Sequence, residues 1–277
     1  MSTFETDTAV TPIESGRFSV ELSERWWIGP GPNGGYVAAL MLNAMDAVAT
    51  QPPRSLTVHF LSRPATGPAE IEVTVERQGR STSFLSARLI QNGEVQGKAM
   101  AVFSARRDGP SFDQTVMPDV PSPEDGEEFD TSLVEVAVFS RFRAVPAIGG
   151  APMSGGEEAE TAGWLRLRDE QPMTAVLAAA MLDVWFPAPF VVLGKPAHAP
   201  TLEYTVHFPC ELPLRENPEP DWVLARLTAD QAVDGHFSED GELWSRDGVL
   251  LARSRQVALL KDYDPTGQGP PGTISRG

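Results

Sequence analysis

Cysteine is nearly missing from this chain: Cys210 stands alone among 277 residues. No intramolecular disulfide can staple the fold, and a reducing compartment suits it. Histidine is scarce too. His59, His198, His207 and His236 show no HxH or HxxxH spacing and no cysteine beside them, so no metal site is expected, and no cofactor. No uninterrupted apolar run approaches the roughly 18 residues that span a bilayer. The opening MSTFETDTAV lacks the basic stretch and apolar core of a secretory signal. A soluble, cytoplasmic protein without a membrane partner is expected. Basic charge is in deficit, 22 Lys+Arg against 38 Asp+Glu, for a net charge of −16. Such a field repels polyanions and argues against nucleic acid as a partner. A phosphate-bearing ligand would need a local basic cluster, such as Arg77, Arg80 and Arg88 or the pair Arg106 and Arg107. Also missing are GxSxG, a Walker loop, and a GxGxxG that follows a strand. Cys210 lies in a proline-flanked turn with no helix start to lower its pKa.

What is present begins with Gln171 to Phe208. Met173 to Phe186 is apolar on every face except for Asp183 near its end, the signature of a buried helix. A loop rich in Pro, Gly and Ala separates it from a strand over Leu202–Phe208. The same order occurs earlier: an apolar helical run from Gly35 to Val48, then QPPRSL, then a strand through Thr57-Val58-His59-Phe60. Thr-Val-His-Phe therefore appears twice, its histidines 148 positions apart. A duplicated unit of one long buried helix and a sheet is implied, with an acid at the helix end only in the second copy.

Residues 1–15 read as a mobile lead-in and Gly16–Leu22 as an edge strand. Gly29 to Gly35 is a glycine- and proline-rich turn that ends where a helix begins. It is either a tight structural turn or, through its free N–H groups, a site for negative charge. Ile71–Glu76, Phe84–Ile90 and Val95–Phe103 read as strands, the last two joined by Asn92-Gly93, the strongest short hairpin cue. Residues 108–130, rich in proline and acid, form a linker. A second series follows: a strand over Leu133–Phe142, a Gly/Glu loop, and a short strand Gly163–Leu167. The buried helix comes next, then strands Trp222–Leu227, Asp234–Trp244 and Val249–Leu260, the last pair turning at Arg246-Asp247-Gly248. The expected organisation is 1–107, linker 108–130, 131–262 and a flexible tail 263–277.

Three side chains are candidates for chemistry. Asp183 is either a carboxylate reaching solvent or an arginine, or a desolvated acid with a raised pKa fit for a general base. Thr201 opens a strand after a proline. Gln256 interrupts Val249–Leu260, where an alternating strand could turn it to solvent. His207-Phe208-Pro209 resembles the HFPxxP signature of hotdog hydroxyacyl dehydratases. That motif has glycine before the histidine and precedes the helix, whereas Val206 stands here and the helix has already passed.

The glycine turn leading into an apolar helix, SLTVHFLSRP, and ERQGRSTSFLSARLIQNGEVQGKAMAVF together resemble the first half of the acyl-CoA thioesterase II family. Trp164-Leu165-Arg166 resembles that family's strand before the second helix. The resemblance covers most of residues 16–262. It implies an α+β fold of two tandem hotdog units, each a long helix wrapped by antiparallel sheet. It also places Asp183, Thr201 and Gln256 on the family's Asp, Thr and Gln, which activate one water for hydrolysis of an acyl-CoA thioester. Backbone N–H groups of Gly34, Gly35 and Tyr36 are expected to bind the substrate's oxyanion. The chain departs from the family at Val257-Ala258, where an acid and a glycine are usual. The competing readings are a hotdog enoyl-CoA hydratase or hydroxyacyl dehydratase, and a non-catalytic acyl- or CoA-binding protein. Exposed sheet edges and the family's habit imply a homo-oligomer, a dimer or higher.

Overall fold

The computed structural model describes residues 2–131, 136–216 and 221–262. The first half runs α1 (Thr3–Asp7), β1 (Thr11–Glu14), β2 (Arg17–Leu22), β3 (Trp27–Ile28), β4 (Gly31–Pro32) and α2 (Gly34–Asp46). It continues with β5 (Pro53–Phe60), β6 (Gly67–Gln78), β7 (Thr82–Gln91) and β8 (Glu94–Ser104). The second half has β9 (Phe142–Ile148), β10 (Glu160–Leu167), α3 (Ala175–Met181), α4 (Pro189–Val192), β11 (Ala197–His198) and β12 (Thr201–His207). After these come β13 (Val223–Thr228), β14 (Ala232–Val233), β15 (His236–Ser245), β16 (Leu250–Leu259) and β17 (Lys261–Asp262).

Among the described residues, thirteen strands form one antiparallel sheet. Twelve follow the order β1-β2-β6-β7-β8-β5-β12-β16-β15-β13-β10-β9, and β14 lies beside β15. The two halves meet where β5 pairs with β12, and there the two Thr-Val-His-Phe segments run antiparallel. Thr57 faces Thr205, Leu56 faces Val206 and Val58 faces Tyr204. The two threonine hydroxyls are 2.9 Å apart. Asn92 and Gly93, at φ 53° and 80°, make the turn between β7 and β8, the paired positive φ values that match strand twist.

Helix α2 packs against β5, β6, β7 and β8 on one side and against α3 on the other. That two-sided contact explains a helix apolar all round: Tyr36 to Leu42, Ala44 and Met45 are buried. Asn33 caps it, its Oδ1 accepting from Tyr36 N at 3.0 Å. Helix α3 is shorter than the apolar run predicts. It stops at Met181, and Asp183 lies in the turn beyond it.

Two further segments differ from what their composition suggests. The lead-in is anchored: Ser2 and Glu5 form a capping box for α1, and Phe4 packs edge-on against Trp26 at 5.2 Å. Asp7 accepts from Trp26 Nε1 at 2.8 Å. Burying one aromatic and satisfying the helix start outweighs the disorder that composition suggests. The strand expected over Leu133–Phe142 also differs. Residues 132–135 lie outside the described residues, and Ala137–Arg141 is a 3-10 turn before β9. The tail 263–277 is likewise outside them.

Part of the acidic stretch between the halves is packed. Met117 and Val120 lie on a cluster of Trp164, Trp222, Trp244 and Leu250, and Trp164 Nε1 donates to Pro121 O at 2.9 Å. A segment without periodicity can still cover an apolar sheet face.

Candidate active site

The site forms where the start of α2 meets the end of α3 over the middle of the sheet. Gly35 makes that approach possible. A Cβ there would sit 2.6 Å from Ala180 O and 2.8 Å from Asp183 Cβ, closer than packed atoms allow. The missing side chain lets Gly35 N donate to Asp183 Oδ2 at 2.8 Å. Asn33 Nδ2 donates to the same oxygen at 3.0 Å and to Asp183 O at 2.6 Å. Asn33 thus caps α2 with its oxygen and grips the acid with its nitrogen.

Asp183 is part-buried, and desolvation pushes its pKa up to about 6. The N–H groups of Gly35 and Gly34 and the Asn33 amide pull the other way without cancelling that effect. The first turn of a helix, with its unpaired N–H groups, is where a carboxylate is best tolerated. The Gly35 N–H group expected for a substrate oxyanion is therefore committed to Asp183 in this structure. The Tyr36 N–H belongs to Asn33, and the buried Tyr36 hydroxyl donates to Asp7 O at 2.8 Å. The glycine turn holds the acid.

Thr201 and Gln256 are brought together directly. Thr201 Oγ1 donates to Gln256 Oε1 at 2.8 Å. The strand register places Tyr204, Gln256 and Glu239 in one row across β12, β16 and β15, all three buried. Gln256 therefore faces inward and not to solvent.

Glu239 was not foreseen. Its Oε1 accepts from Gln256 Nε2 at 2.6 Å and its Oε2 from Ala188 N at 2.6 Å. Only 1% of it is exposed. Burial pushes its pKa up to about 7, and the charge of Asp183 adds to the rise. The signal lay in the alternation of Phe237, Glu239, Gly241 and Leu243, an acid on the inward side of a strand. Tyr204 ties the acid's side of the site to the glutamine's. Its hydroxyl donates to Ala179 O at 2.8 Å, and its pKa is raised well above normal by burial and by Asp183 and Glu239.

Phe60, at the end of β5, comes within 3.2 Å of where a Gly34 Cβ would stand, beside the Asp183 carboxylate. Trp185 lies over Gly163, donates to Thr161 Oγ1 at 2.8 Å and stacks on Phe186 at 5.0 Å. His59 and His207 are exposed, and His59 pairs with Glu203. Of the candidate basic clusters, Arg88 pairs with Glu72, and Arg107 donates to Ser81.

Comparison with known proteins gives this arrangement its setting. Residues 22–104 match the family model of the acyl-CoA thioesterase N-terminal domain, and residues 115–260 that of the acyl-CoA thioesterase C-terminal domain. A solved hotdog-fold protein of unknown function from Alicyclobacillus acidocaldarius is 29% identical, with a TM-score of 0.88 over 95% of this chain and 100% of that one. The solved acyl-CoA thioesterase II from Mycobacterium marinum is 21% identical, with a TM-score of 0.75 over 95% and 99% of the two chains. Acyl-CoA thioesterase 2 of Haemophilus influenzae is 24% identical over 254 residues, covering 82% of this chain and 87% of its own. With both family models matched across most of its length and a large antiparallel hotdog sheet beneath the site, this chain belongs to the acyl-CoA thioesterase family.

Proposed function

We propose that Asp183, Thr201 and Gln256 form the catalytic centre with which this thioesterase hydrolyses an acyl-CoA to a carboxylic acid and CoA. The observation that carries the assignment is the Thr201–Gln256 hydrogen bond, which continues to Glu239, a group that feels the charge of Asp183, itself an acid whose pKa is raised to about 6. Asn33 and Gly35 both bond Asp183 Oδ2, which leaves Oδ1 to take a proton. A water held between Asp183 and Thr201 attacks the thioester carbonyl while Asp183 removes its proton. The C–S bond then breaks, and the same proton passes from Asp183 to the leaving thiolate. No covalent acyl-enzyme is needed. Gly34 and Gly35 place the acid in this scheme, and Tyr36 anchors the helix that carries them.

The two halves are two tandem hotdog units, 1–107 and 131–262, joined by 108–130. The antiparallel meeting of the two Thr-Val-His-Phe segments at Thr57 and Thr205 supports that division. Chains associate further, since among the described residues β1 ends the sheet with an edge that no other strand covers. The lone cysteine suits the cytoplasm.

Thiol release from a panel of acyl-CoAs tests the reading. Asp183→Ala should lower kcat/KM by about 10²-fold or more if the carboxylate activates the water. An unchanged rate in the folded variant removes Asp183 from the mechanism, and a folded wild type that binds acyl-CoA without releasing thiol makes the chain a binding protein.

A further inference from the structure

The polar chain behind Thr201 has a direction. Ala188 N–H can only donate, an ionised carboxylate can only accept, and a carboxamide has one end of each kind. With Ala188 N donating to one oxygen of Glu239 and Gln256 Nε2 donating to the other, the Gln256 carbonyl must point away from Glu239. There it takes the Thr201 proton. The Thr201 hydroxyl proton is then engaged, and its lone pairs are the part left for a water. A nucleophilic water needs acceptors for its hydrogens, with its own lone pair turned to the carbonyl.

We propose that Glu239 is a positioning residue that fixes the orientation of the Gln256 amide and so makes Thr201 an acceptor toward the attacking water. The inference rests on the thioesterase reading of the same site. When Glu239 takes a proton it becomes a donor. The Gln256 amide can then turn round, with its carbonyl on the Glu239 O–H and its NH2 on Thr201 Oγ1. That leaves the Thr201 hydroxyl to donate to the water's lone pair and blunt its attack. Proton uptake at Glu239 is thereby a switch on the site. The groups facing Glu239 are Asp183 from the turn after α3, Tyr204 from β12, Gln256 from β16, the Ala188 N–H from the segment before α4, and Asp240 beside it on β15. The acids among them oppose its ionisation, and the two donors favour it. Its proton affinity, raised into the neutral range by burial, places the switch near physiological pH.

Glu239→Gln tests this with shape and burial kept. A glutamine there must use its oxygen for Ala188 N–H, so its NH2 meets Gln256 and reverses the chain. Its kcat should fall about 10- to 100-fold with KM within about threefold, the split expected of an interaction used in the transition state. Glu239→Gln combined with Gln256→Glu restores the direction. The new glutamine donates to the new carboxylate, which accepts from Thr201 as before. The double variant should recover at least about tenfold over Glu239→Gln, a rescue that a merely structural role for Glu239 would not give. The acid limb of the kcat profile should lose its Glu239 step in Glu239→Gln.

A readout independent of catalysis is the side-chain amide of Gln256 in ¹⁵N NMR spectra. Its signals should move between about pH 6 and pH 8 in the wild type and stay fixed in Glu239→Gln. Wild-type kcat in Glu239→Gln, no recovery in the double variant, or a Gln256 amide indifferent to pH in the wild type each overturns the proposal. A wild type that releases no thiol overturns the thioesterase reading instead, and the amide titration still decides whether Glu239 orients Gln256.

Discussion

Glu239 Oε1 lies 2.6 Å from Gln256 Nε2, directly across the β15–β16 ladder, in a site whose other carboxylate, Asp183, raises its proton affinity. Two acids thus stand at one site, Glu239 on the Gln256 amide and Asp183 on Asn33 and Gly35, and neither is offset there by a basic side chain that lowers its pKa.

Activity should depend on pH through both acids. Asp183 must be ionised to accept a proton, and its pKa is about 6; Glu239 must be ionised to hold Gln256, and its pKa is about 7. Single-turnover thiol release should therefore decline as pH falls from 8 toward about 5, over a broader range than one titration covers. A sharp single step near the ordinary carboxylate range, about pH 4, would show that the carboxylates are solvated.

Folding stability should move in the opposite sense. Both acids have folded-state pKa values above their unfolded ones, so the folded protein binds more protons between about pH 4 and pH 7. Their contribution is fully present below the unfolded pKa and is lost as pH rises through 6 and 7. Asp183→Asn should flatten that decline and raise the urea midpoint at pH 8, with a gain of about 1–3 kcal/mol. Urea melts of both proteins at several pH values check it, and a wild type that gains stability from pH 5 to pH 8 contradicts the two raised pKa values.

Gly35→Ala should be costly despite the good helix propensity of alanine. Its methyl would meet the Ala180 carbonyl and Asp183 Cβ, both on atoms that cannot swing aside. A cost of about 1–3 kcal/mol is expected from overpacking, together with a loss of activity as Asp183 is pushed from its donors. Thermal unfolding and thiol release on the same preparation check both. A variant as stable and active as wild type would mean the helices meet less closely.

Gly163→Ala tests the seat of Trp185 in the same way. A Cβ there would fall 2.0 Å from the Trp185 ring, which also holds Thr161 Oγ1. The indole must leave, so the variant should lose about 1–3 kcal/mol. Since Trp185 stands two residues after Asp183, kcat should drop as well. Trp185→Phe removes the outer edge of the indole that lies over the glycine and leaves the buried Thr161 hydroxyl without that donor, so it should cost about 1–3 kcal/mol.

Thr57 and Thr205 offer a measure of how firmly the halves are joined. Replacing either by valine removes one hydroxyl of a pair 2.9 Å apart and leaves the other unpartnered in a part-buried place. Each single variant should cost about 0.5–1.5 kcal/mol, and the double variant less than their sum. Strict additivity in a double-mutant cycle would show that the hydroxyls do not interact.

Sequence alone was enough for α2, for the core of α3, for most of the strands and for the repeated Thr-Val-His-Phe, because periodicity and turn chemistry are local. An apolar run without a polar face has to be covered on both sides, and Asn92-Gly93 has to turn. It also singled out Asp183, an acid that such a run does not otherwise tolerate. Only the tertiary structure decided what that acid touches. Asn33 and Gly35 precede it by 150 and 148 residues, and nothing in either neighbourhood announces the other. Likewise Glu239 is one carboxylate among many along the chain. It differs from Asp240 beside it because strand alternation turns one inward under Gln256 and the other outward to Arg255. Local sequence sets which residues share a face, but pairing across the sheet sets which faces meet, and desolvation at that meeting gives the carboxylates their chemistry.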